Sequence, residues 1–320
     1  MKRATVIIPN YNGRHFLTPC LDSLACQSMS DFDIIVVDNG SNDGSCELLE
    51  KEYGYAKVIE MEENTGFCRA VNTGVKASET EYVILLNNDT VADKYFVEAL
   101  IKAMDSRPNA FSCSSQMLML QDKNKIDGAG DIYNALGWAS ARGKGQPAEK
   151  FGKPVRIFSA CGGAAIYRRE LFIKLGMLDE NHFAYLEDLD IGYRARVKGY
   201  ENWYIPEAKV LHAGSGTSGS RHNEFKVSHS ARNNVYIIYK NMPAFQRALN
   251  APLHFIGFGI KSIYFKKKGF GELYKNSLKE GKRLALSAEG KKHTVAFEPE
   301  NFGNYFRIQL ELWANIFRRH

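Results

Sequence analysis

Residues 82–90 read YVILLNNDT, and this stretch decides the class of fold. Five apolar residues run directly into Asn87, Asn88 and Asp89, without the polar and apolar alternation of a half-exposed strand. An unbroken apolar run of this length is typical of a parallel strand that helices cover on both faces. Because ligands of open α/β sheets bind beyond the carboxyl ends of such strands, the three polar residues are predicted to line a binding site.

The surrounding sequence alternates short β-rich runs with helical patterns, which predicts βαβ units and a mainly parallel sheet. Strands are predicted at residues 5–9, 33–38, 57–61 and 82–87, with helices near 15–27, 45–53 and 66–77. Further on, we predict helices at 94–104 and 187–198, strands at 111–115 and 210–212, an ordered segment at 160–167, and a helical C-terminal region. The Gly- and Asp-rich residues 121–153 are predicted to be an irregular, mobile excursion, and residues 214–220 a flexible loop.

Composition fits a globular protein with one large core and a smaller appended unit. The N-terminus, MKRATVIIPNYNG, has only a five-residue apolar stretch, so we predict a strand rather than a secretory signal. We therefore expect an intracellular, cytoplasmic protein whose six cysteines are reduced.

Positive charge is concentrated in the last third of the chain. Residues 226–320 carry 17 Lys and Arg side chains against six Glu and no Asp. This asymmetry favours a surface for anions, either nucleic acid or an acidic membrane, although a solvated helical tail has the same composition. Residues 251–268 combine an apolar helical pattern with three terminal lysines, and the apolar part is too short and too polar to span a bilayer. This helix either lies in the interface of an anionic membrane or packs on the α/β domain.

Polar residues also follow the first two predicted strands. Pro9, Asn10, Tyr11 and Asn12 end the first strand, and Asp38 ends the second. The Asp38 carboxylate can accept the imide N–H of uracil or thymine while Tyr11 packs on the ring, or it can cap a turn, and both interpretations remain open. Asn64 and Thr65 can cap the next helix, whose first amides, near Gly66 and Arg69, would then face an anion.

Carboxylates suggest a metal and a general base. Asp89 offers the hard oxygen that Mg²⁺ or Mn²⁺ prefers, but a single Asp is a weak metal site. Glu187 and Asp188 begin a helix whose dipole favours ionised carboxylates, which suits Asp188 to the role of general base or to simple charge complementarity. His212 ends a strand before the Gly- and Ser-rich loop, and taken alone it is either structural or a ligand.

Six motifs in order carry a resemblance: PNYNG, VVDNGSNDGS, ENTGFCRAVNTG, LLNNDT, CGGAAIYRRE and YLEDLDIGYRARVKGY. Together they resemble family 2 glycosyltransferases of the GT-A fold, in particular the bacterial rhamnosyl- and galactofuranosyltransferases. The resemblance covers about residues 5–240. It implies an α/β catalytic domain at 1–225, with nucleotide-sugar binding at about 1–115 and the acceptor side at about 116–225. A basic helical region at 226–320 would follow.

The resemblance also implies a role for each matching residue. The metal, Mg²⁺ or Mn²⁺, would bind Asp89 and His212, with the neutral Asn87 standing where the family's Asp-x-Asp motif begins. Asp188 would be the catalytic base, with Glu187 as the second candidate. Cys161, Gly162 and Gly163 would lie beside the acceptor. The nucleotide sugar would be bound by Pro9, Tyr11, Asn12, Asp38, Asn64, Gly66, Arg69, Asn87 and Asn88.

The function that follows is inverting, metal-dependent sugar transfer to a lipid-linked or polysaccharide acceptor in cell-surface glycan synthesis. The pair Arg232-Asn233 resembles rhamnosyltransferase-type members and makes dTDP-rhamnose the first candidate donor and a UDP-sugar the next. A catalytically silent sugar-nucleotide-binding protein and a sugar nucleotidyltransferase are the alternatives. A dehydrogenase lacks support because no Gly-x-Gly-x-x-Gly follows the first strand, and no nucleic-acid-binding module is recognised.

Overall fold

The computed structural model describes residues 2–214 and 222–318. Its N-terminal half contains the strands β1 (Ala4–Asn10), β2 (Phe32–Asp38), β3 (Lys57–Glu60) and β4 (Tyr82–Leu86). The helices α1 (Arg14–Ala25), α2 (Ser45–Glu52) and α3 (Phe67–Ala77) connect them. β1 pairs in parallel with both β2 and β4, and β2 pairs in parallel with β3. The predicted parallel βαβ arrangement is therefore confirmed.

Helices cover both faces of this parallel sheet. Ile8 of β1 packs in one core cluster with Leu21 of α1, whereas Ile7 packs in a second cluster with Val71 of α3. Successive side chains of a strand point to opposite faces, so both must be apolar when both faces are buried. This explains the unbroken apolar runs of the central strands.

The remaining elements of the α/β part follow in chain order. They are β5 (Thr90–Ala92), α4 (Phe96–Asp105), β6 (Ala110–Met119), β7 (Asp122–Gly128), β8 (Asp131–Tyr133), β9 (Ala139–Ala141), β10 (Val155–Ile157), β11 (Ala164–Arg168), α5 (Arg169–Lys174), α6 (Glu187–Val197) and β12 (Glu201–His212). The main sheet has the order β10-β12-β6-β11-β4-β1-β2-β3, with β5 on β12 and β7 on β6. β11 runs antiparallel to both of its neighbours, so the sheet is mixed.

The prediction of an irregular, mobile excursion at residues 121–153 is wrong. β7 returns antiparallel on β6, and β8 and β9 form a hairpin of their own. Ile126 and Tyr133 are fully buried, which anchors both hairpins to the core. The glycines that suggested disorder instead make turns, because Gly130 and Gly137 have φ values of 86° and 73°.

Within residues 222–318, five α-helices form the C-terminal region: α7 (Glu224–Asn241), α8 (Ala244–Lys267), α9 (Gly271–Leu286), α10 (Ala288–Lys292) and α11 (Phe302–Ala314). They share a core with α6, in which Leu189 and Tyr193 pack with Ile237 and Leu312. The predicted boundary at residue 225 falls in the first turn of α7, and the division into two domains stays a prediction. Among residues 2–214 and 222–318, no helix has both the length and the apolar character needed to cross a bilayer.

A buried ion network ties α7 to α6. The Nζ atom of Lys240 lies 2.7 Å from Asp179 and 2.8 Å from Asp190, and Asp190 also pairs with Arg194 at 2.7 Å. These side chains are almost completely excluded from solvent. Pairing and hydrogen bonding are what make such buried charges tolerable.

Candidate active site

Hydrogen-bonded side chains join the carboxyl ends of β2, β1 and β4. Asn10 Nδ2 donates to Asp38 Oδ2 at 2.8 Å, and Asn88 Nδ2 donates to Asn10 Oδ1 at 2.7 Å. The other Asp38 oxygen accepts the N–H of Ser41 at 2.8 Å, which confirms that Asp38 caps a turn. Its role in base binding stays a prediction. Asn10, which the sequence analysis placed at the strand end without a binding role, is the central member of this network.

Residues 9–12, at the end of β1, lie beside this network. Pro9 lies within β1, and the Tyr11 side chain beyond it is exposed. Asn12 has a φ of 48°; its N–H donates to Ser41 Oγ at 2.9 Å, and its Oδ1 accepts the N–H of Asn42 at 2.9 Å. Asn12 therefore holds the loop after β2, while Tyr11 presents a free aromatic surface.

The N-terminus of α3 is covered by the loop that contains Phe183. The prediction that the side chain of Asn64 or Thr65 caps this helix is wrong. The N-cap residue is Gly66, and no side chain makes a capping hydrogen bond from that position. The N–H of Cys68 instead donates to the Phe183 carbonyl at 3.2 Å, and a Cβ on Gly66 would lie 2.6 Å from the Phe183 ring. Asn64 Oδ1 accepts the N–H of Gly66 at 3.0 Å. Arg69 is largely exposed and extends beside Glu180.

The predicted metal ligands lie together. His212 of β12 pairs with Thr90 of β5, so His212 stands beside Asp89, and its Nε2 lies 3.2 Å from Asp89 Oδ1. Asp127 Oδ2 contacts the other imidazole nitrogen at 2.7 Å, and Lys144 contacts the second Asp127 oxygen at 2.8 Å. Burial lowers the pKa of His212, but the hydrogen bonds to Asp127 and Asp89 outweigh it and raise this pKa to about 9. Burial also opposes ionisation of Asp127, yet His212 and Lys144 lower its pKa to about 2.

These residues fit a divalent ion. Two octahedral ligands at about 2.1 Å from one Mg²⁺ stand about 3.0 Å apart, close to the Asp89–His212 separation. A carboxylate on the far nitrogen of a metal-binding imidazole fixes the ring, and Asp127 occupies that position. Asn88 is engaged with Asn10, and the Asn87 side chain is directed towards Gly163. Asp127 was missed because it belongs to the stretch that was predicted to be irregular.

A second group of carboxyl side chains surrounds Asp188. The Gly162 N–H donates to Asp188 Oδ2 at 3.2 Å, and the Leu189 N–H donates to Oδ1 at 2.7 Å. Donor atoms of Asp131, Cys161 and Asp188 all lie within 4.8 Å of one another. Burial raises the pKa of the Cys161 thiol well above its usual value, and hard ions prefer oxygen, so this group suits proton transfer better than metal binding.

The ionisation of Asp188 differs from the expectation. The helix terminus was expected to favour the charged form, but burial raises the pKa of Asp188 despite its two N–H donors. Burial and the Asp188 charge also raise the pKa of Asp131 well above its usual value. Two neighbouring carboxyl groups of this kind share a proton. Asp131 was not identified from the sequence, where the only local signal is a second carboxylate after the glycines of DGAGD.

Glu187 differs from its neighbour. Only 8 % of its surface is exposed, and within the described part of the chain its Oε2 has no hydrogen-bond partner. Burial and the Asp188 charge raise the pKa of Glu187 to about 8. Asp188 is the more accessible of the two carboxyl groups.

The two groups belong to one cleft. Gly163 O accepts the Asn87 N–H at 2.9 Å, and the adjacent Gly162 donates to Asp188. Consecutive Cα atoms are only about 3.8 Å apart, so Asp188 and the end of β4 stand on either side of a two-residue segment. Asp127 also contributes to the raised pKa of Cys161, which links the metal ligands to the same cleft.

The pair Arg232-Asn233 holds the loop that leads to Asp188. Asn233 Nδ2 donates to the carbonyls of His182, Ala184 and Tyr185 at 2.8–2.9 Å. Arg232 donates to the His182 carbonyl at 2.9 Å. Three non-glycine residues of this loop have positive φ values, namely Phe183, Tyr185 and Leu186. Such strained backbone persists when its surroundings fix it, so the pair is a positioning device.

The fold and this cleft define a GT-A glycosyltransferase. Residues 5–176 match the family model described as glycosyl transferase family 2. The chain belongs to this family, and it is a glycosyltransferase rather than a nucleotidyltransferase.

Relatives and solved structures agree with this assignment. The chain is 26 % identical over 241 residues to the N-acetylglucosaminyl-diphospho-decaprenol L-rhamnosyltransferase of Mycobacterium tuberculosis, covering 67 % of this chain and 77 % of that protein. It is 32 % identical over 126 residues to the putative teichuronic acid biosynthesis glycosyltransferase TuaG of Bacillus subtilis, covering 38 % and 50 %. The mannosyltransferase PcManGT from Pyrobaculum calidifontis, in complex with GDP-Man and Mn²⁺, superposes with a TM-score of 0.55 at 17 % identity, covering 96 % and 87 %. GalNAc-T7 with UDP, GalNAc and Mn²⁺ gives 0.59 at 17 % identity, covering 74 % of this chain and 48 % of that one.

Proposed function

We propose that this enzyme is an inverting, metal-dependent glycosyltransferase of cell-surface glycan synthesis. It moves a sugar from a nucleotide-diphosphate sugar to a hydroxyl of a lipid-linked or polysaccharide acceptor. The observation that carries the proposal is the presence of two side-chain groups on either side of Gly162-Gly163. Asp89 and His212 are suited to bind a metal, and Asp188 is suited to accept a proton. The name of the mycobacterial relative supports dTDP-rhamnose as the first donor to test and a lipid diphosphate acceptor, with a UDP-sugar next.

The donor occupies the side of the cleft formed by the strand ends. Asp89 and His212 would hold Mg²⁺ or Mn²⁺, an ion that neutralises the negative charge of a departing diphosphate. Asp127 keeps the His212 imidazole oriented towards Asp89. Tyr11 packs on the base, and Arg69 extends from α3 towards the phosphates. The Mn²⁺ in GalNAc-T7 and PcManGT supports a divalent ion in this enzyme as well.

Asp188 carries the proton transfer. Its carboxylate takes the proton of the acceptor hydroxyl as that oxygen forms a bond to the anomeric carbon. The bond from this carbon to the diphosphate breaks, and its electron pair leaves with the nucleoside diphosphate. No second nucleophile is required, so one displacement inverts the configuration. A base with a raised pKa is well suited to this step, and the buried, protonated Glu187 is less so.

The C-terminal helices supply a membrane-facing surface. On α8 the buried residues Gln246, Asn250 and His254 are polar, whereas the exposed ones are apolar: Leu249, Phe255, Ile256, Ile260 and Ile263. A surface helix normally has the opposite arrangement. The Phe245 ring lies 6.0 Å from Phe302, which extends this surface to the exposed Phe302, Phe306 and Leu310 of α11. With the basic Lys266, Lys267 and Lys268 at its end, the surface suits peripheral contact with an anionic membrane at its inner, cytoplasmic face.

Nucleotide release tests the proposal directly. Purified enzyme is incubated with dTDP-rhamnose or a panel of UDP-sugars, with and without Mn²⁺ and a prenyl-diphospho-sugar acceptor. We expect release of the nucleoside diphosphate with one donor, and only when metal and acceptor are both present. A catalytically silent sugar-nucleotide-binding protein would be stabilised thermally by a donor but would release nothing.

A further inference from the structure

A separate pocket lies between the catalytic loop and the C-terminal helices. Its volume is about 270 Å³, and its walls come from α7, α8, α9, β9 and the loop before α6. Tyr185 and Leu186 form the side nearest the catalytic cleft. Val227, Phe265 and Tyr274 form an apolar floor.

The polar lining of this pocket is basic. Lys226, Lys261 and His222 line it, and no carboxylate does. The Lys261 ammonium lies 5.7 Å above the centre of the Trp138 ring, and within residues 2–214 and 222–318 it forms no ion pair with a carboxylate. Residues 215–221 and 319–320 contain no Asp or Glu side chain. Burial lowers the pKa of Lys261 to about 8, and burial together with Lys144 lowers the pKa of Lys226. An anion would offset the positive charge of the Lys261 ammonium.

The position of the pocket relates it to the reaction. Leu186 lies two residues before Asp188, so the two Cα atoms are separated by no more than about 7.6 Å, roughly the length of one sugar ring. Lys261 and Phe265 belong to α8, whose outer face carries the exposed apolar side chains. The pocket therefore lies between the loop that leads to the proposed base and the helix that carries the proposed membrane surface.

We infer that this pocket binds the diphosphate of a lipid-linked acceptor, with Lys261 and Lys226 contacting phosphate oxygens and the apolar floor contacting the first carbons of the lipid. The inference rests on the proposed function, because it identifies the acceptor's subsite beside Asp188. A nucleoside diphosphate has the same anionic chemistry but lacks a lipid, and the donor's diphosphate is assigned to Asp89 and His212. The apolar floor favours the lipid-linked source.

Binding of farnesyl diphosphate to the full chain in EDTA provides the test. Lys261→Gln should weaken the binding of farnesyl diphosphate about tenfold or more, because one charge-assisted hydrogen bond is lost. Lys261→Arg should retain most of the wild-type affinity. Lys282→Gln removes an exposed lysine of α9 as the matched control and should bind as the wild type does. Farnesol should bind much more weakly than farnesyl diphosphate, and UDP binding with Mn²⁺ should be unchanged by Lys261→Gln.

Three results would overturn the inference. The first is wild-type affinity for farnesyl diphosphate in Lys261→Gln, and the second is equal affinity of the wild type for farnesol and farnesyl diphosphate. The third is a loss of UDP binding in Lys261→Gln as large as its loss of farnesyl diphosphate binding.

Failure of this inference is distinguishable from failure of the proposed function. If farnesyl diphosphate binds through Lys261 but no donor supports transfer, the proposed function is wrong and the diphosphate site stands. If transfer occurs and the KM for a prenyl-diphospho-sugar is unchanged in Lys261→Gln, the pocket assignment is wrong.

Discussion

The N–H of Gly162 donates a hydrogen bond to the carboxylate of Asp188, with 3.2 Å between nitrogen and oxygen. The carbonyl of the next residue accepts the N–H of Asn87, which ends the central strand run. This short segment therefore fixes the distance between the proposed base and the proposed metal ligands. A proton acceptor and a site for the departing diphosphate must flank one sugar ring, and the two hydrogen bonds place Asp188 and Asn87 on neighbouring residues of this segment.

Asp188→Asn should remove nearly all transfer and leave donor binding intact. The amide has the same shape but cannot accept the hydroxyl proton, and a single general base contributes typically about 10²–10⁴-fold. Single-turnover transfer and donor affinity should be measured on the same preparation. Glu187→Gln is the matched control, because a buried, protonated acid is replaced by a neutral amide, and it should lose much less activity. Wild-type turnover in Asp188→Asn would exclude this residue as the base.

Glu187 should make stability depend on pH. Its pKa is about 8 in the folded protein, whereas an unfolded chain has a Glu pKa near the usual value of about 4.3. Between these values the unfolded state releases a proton that the folded state keeps. The stabilisation that Glu187 contributes to the free energy of unfolding is therefore fully present below about pH 4 and is lost as the pH rises through 8. Urea unfolding from pH 5 to 8 should show a flatter profile for Glu187→Gln than for the wild type, and parallel profiles would contradict this assignment.

Asp127→Asn should weaken metal binding without removing a ligand. The change leaves Asp89 and His212 in place but takes away the carboxylate that orients the imidazole, a loss of about 10–100-fold in comparable sites. The Mn²⁺ concentration for half-maximal transfer should rise by that factor. Asp122→Asn is the matched control, because Asp122 lies on the same strand but at its exposed end, paired with Lys125. An unchanged Mn²⁺ requirement in Asp127→Asn would argue against His212 as a ligand.

The sequence was sufficient for the parallel sheet because each central strand is marked locally, by an apolar run that ends in polar residues. It pointed to Asp89 and Asp188 because their motifs resemble a family, and the roles of both residues stay predictions. Asp127 and Asp131 were not predictable in this way. They reach the site through two antiparallel hairpins, and the short, glycine-containing strands of these hairpins lack the apolar alternation that would predict the pairing. The Asn10 network was missed for a related reason, because its partners come from three different strands.

Lys240→Met should destabilise the fold through the network beneath α6. The substitution leaves the buried Asp179 without its lysine and Asp190 with Arg194 as its remaining cation, and breaking a buried pair in this way costs about 3–5 kcal/mol. The free energy of unfolding should be measured by urea titration at neutral pH. Lys275→Met, on the exposed face of α9, should change it by no more than about 0.5 kcal/mol. A small effect in Lys240→Met would mean that α7 is held to α6 mainly by apolar packing.

The outer face of α8 should govern binding to anionic vesicles. Truncation before α8 is a poor test, because α8 and α11 share buried contacts such as the Asn250–Gln309 pair at 2.8 Å. The double change Ile260→Asp and Ile263→Asp instead alters only exposed positions and places negative charge against the lipid. Loss of even half of the about 1.5–3 kcal/mol that burial of each side chain contributes would lower partition at least tenfold. Co-sedimentation with phosphatidylglycerol vesicles should show this loss, whereas Tyr55→Asp, an exposed position on the opposite half of the sheet, should partition as the wild type does. Equal partition of the double variant and the wild type would exclude α8 as the membrane-facing element.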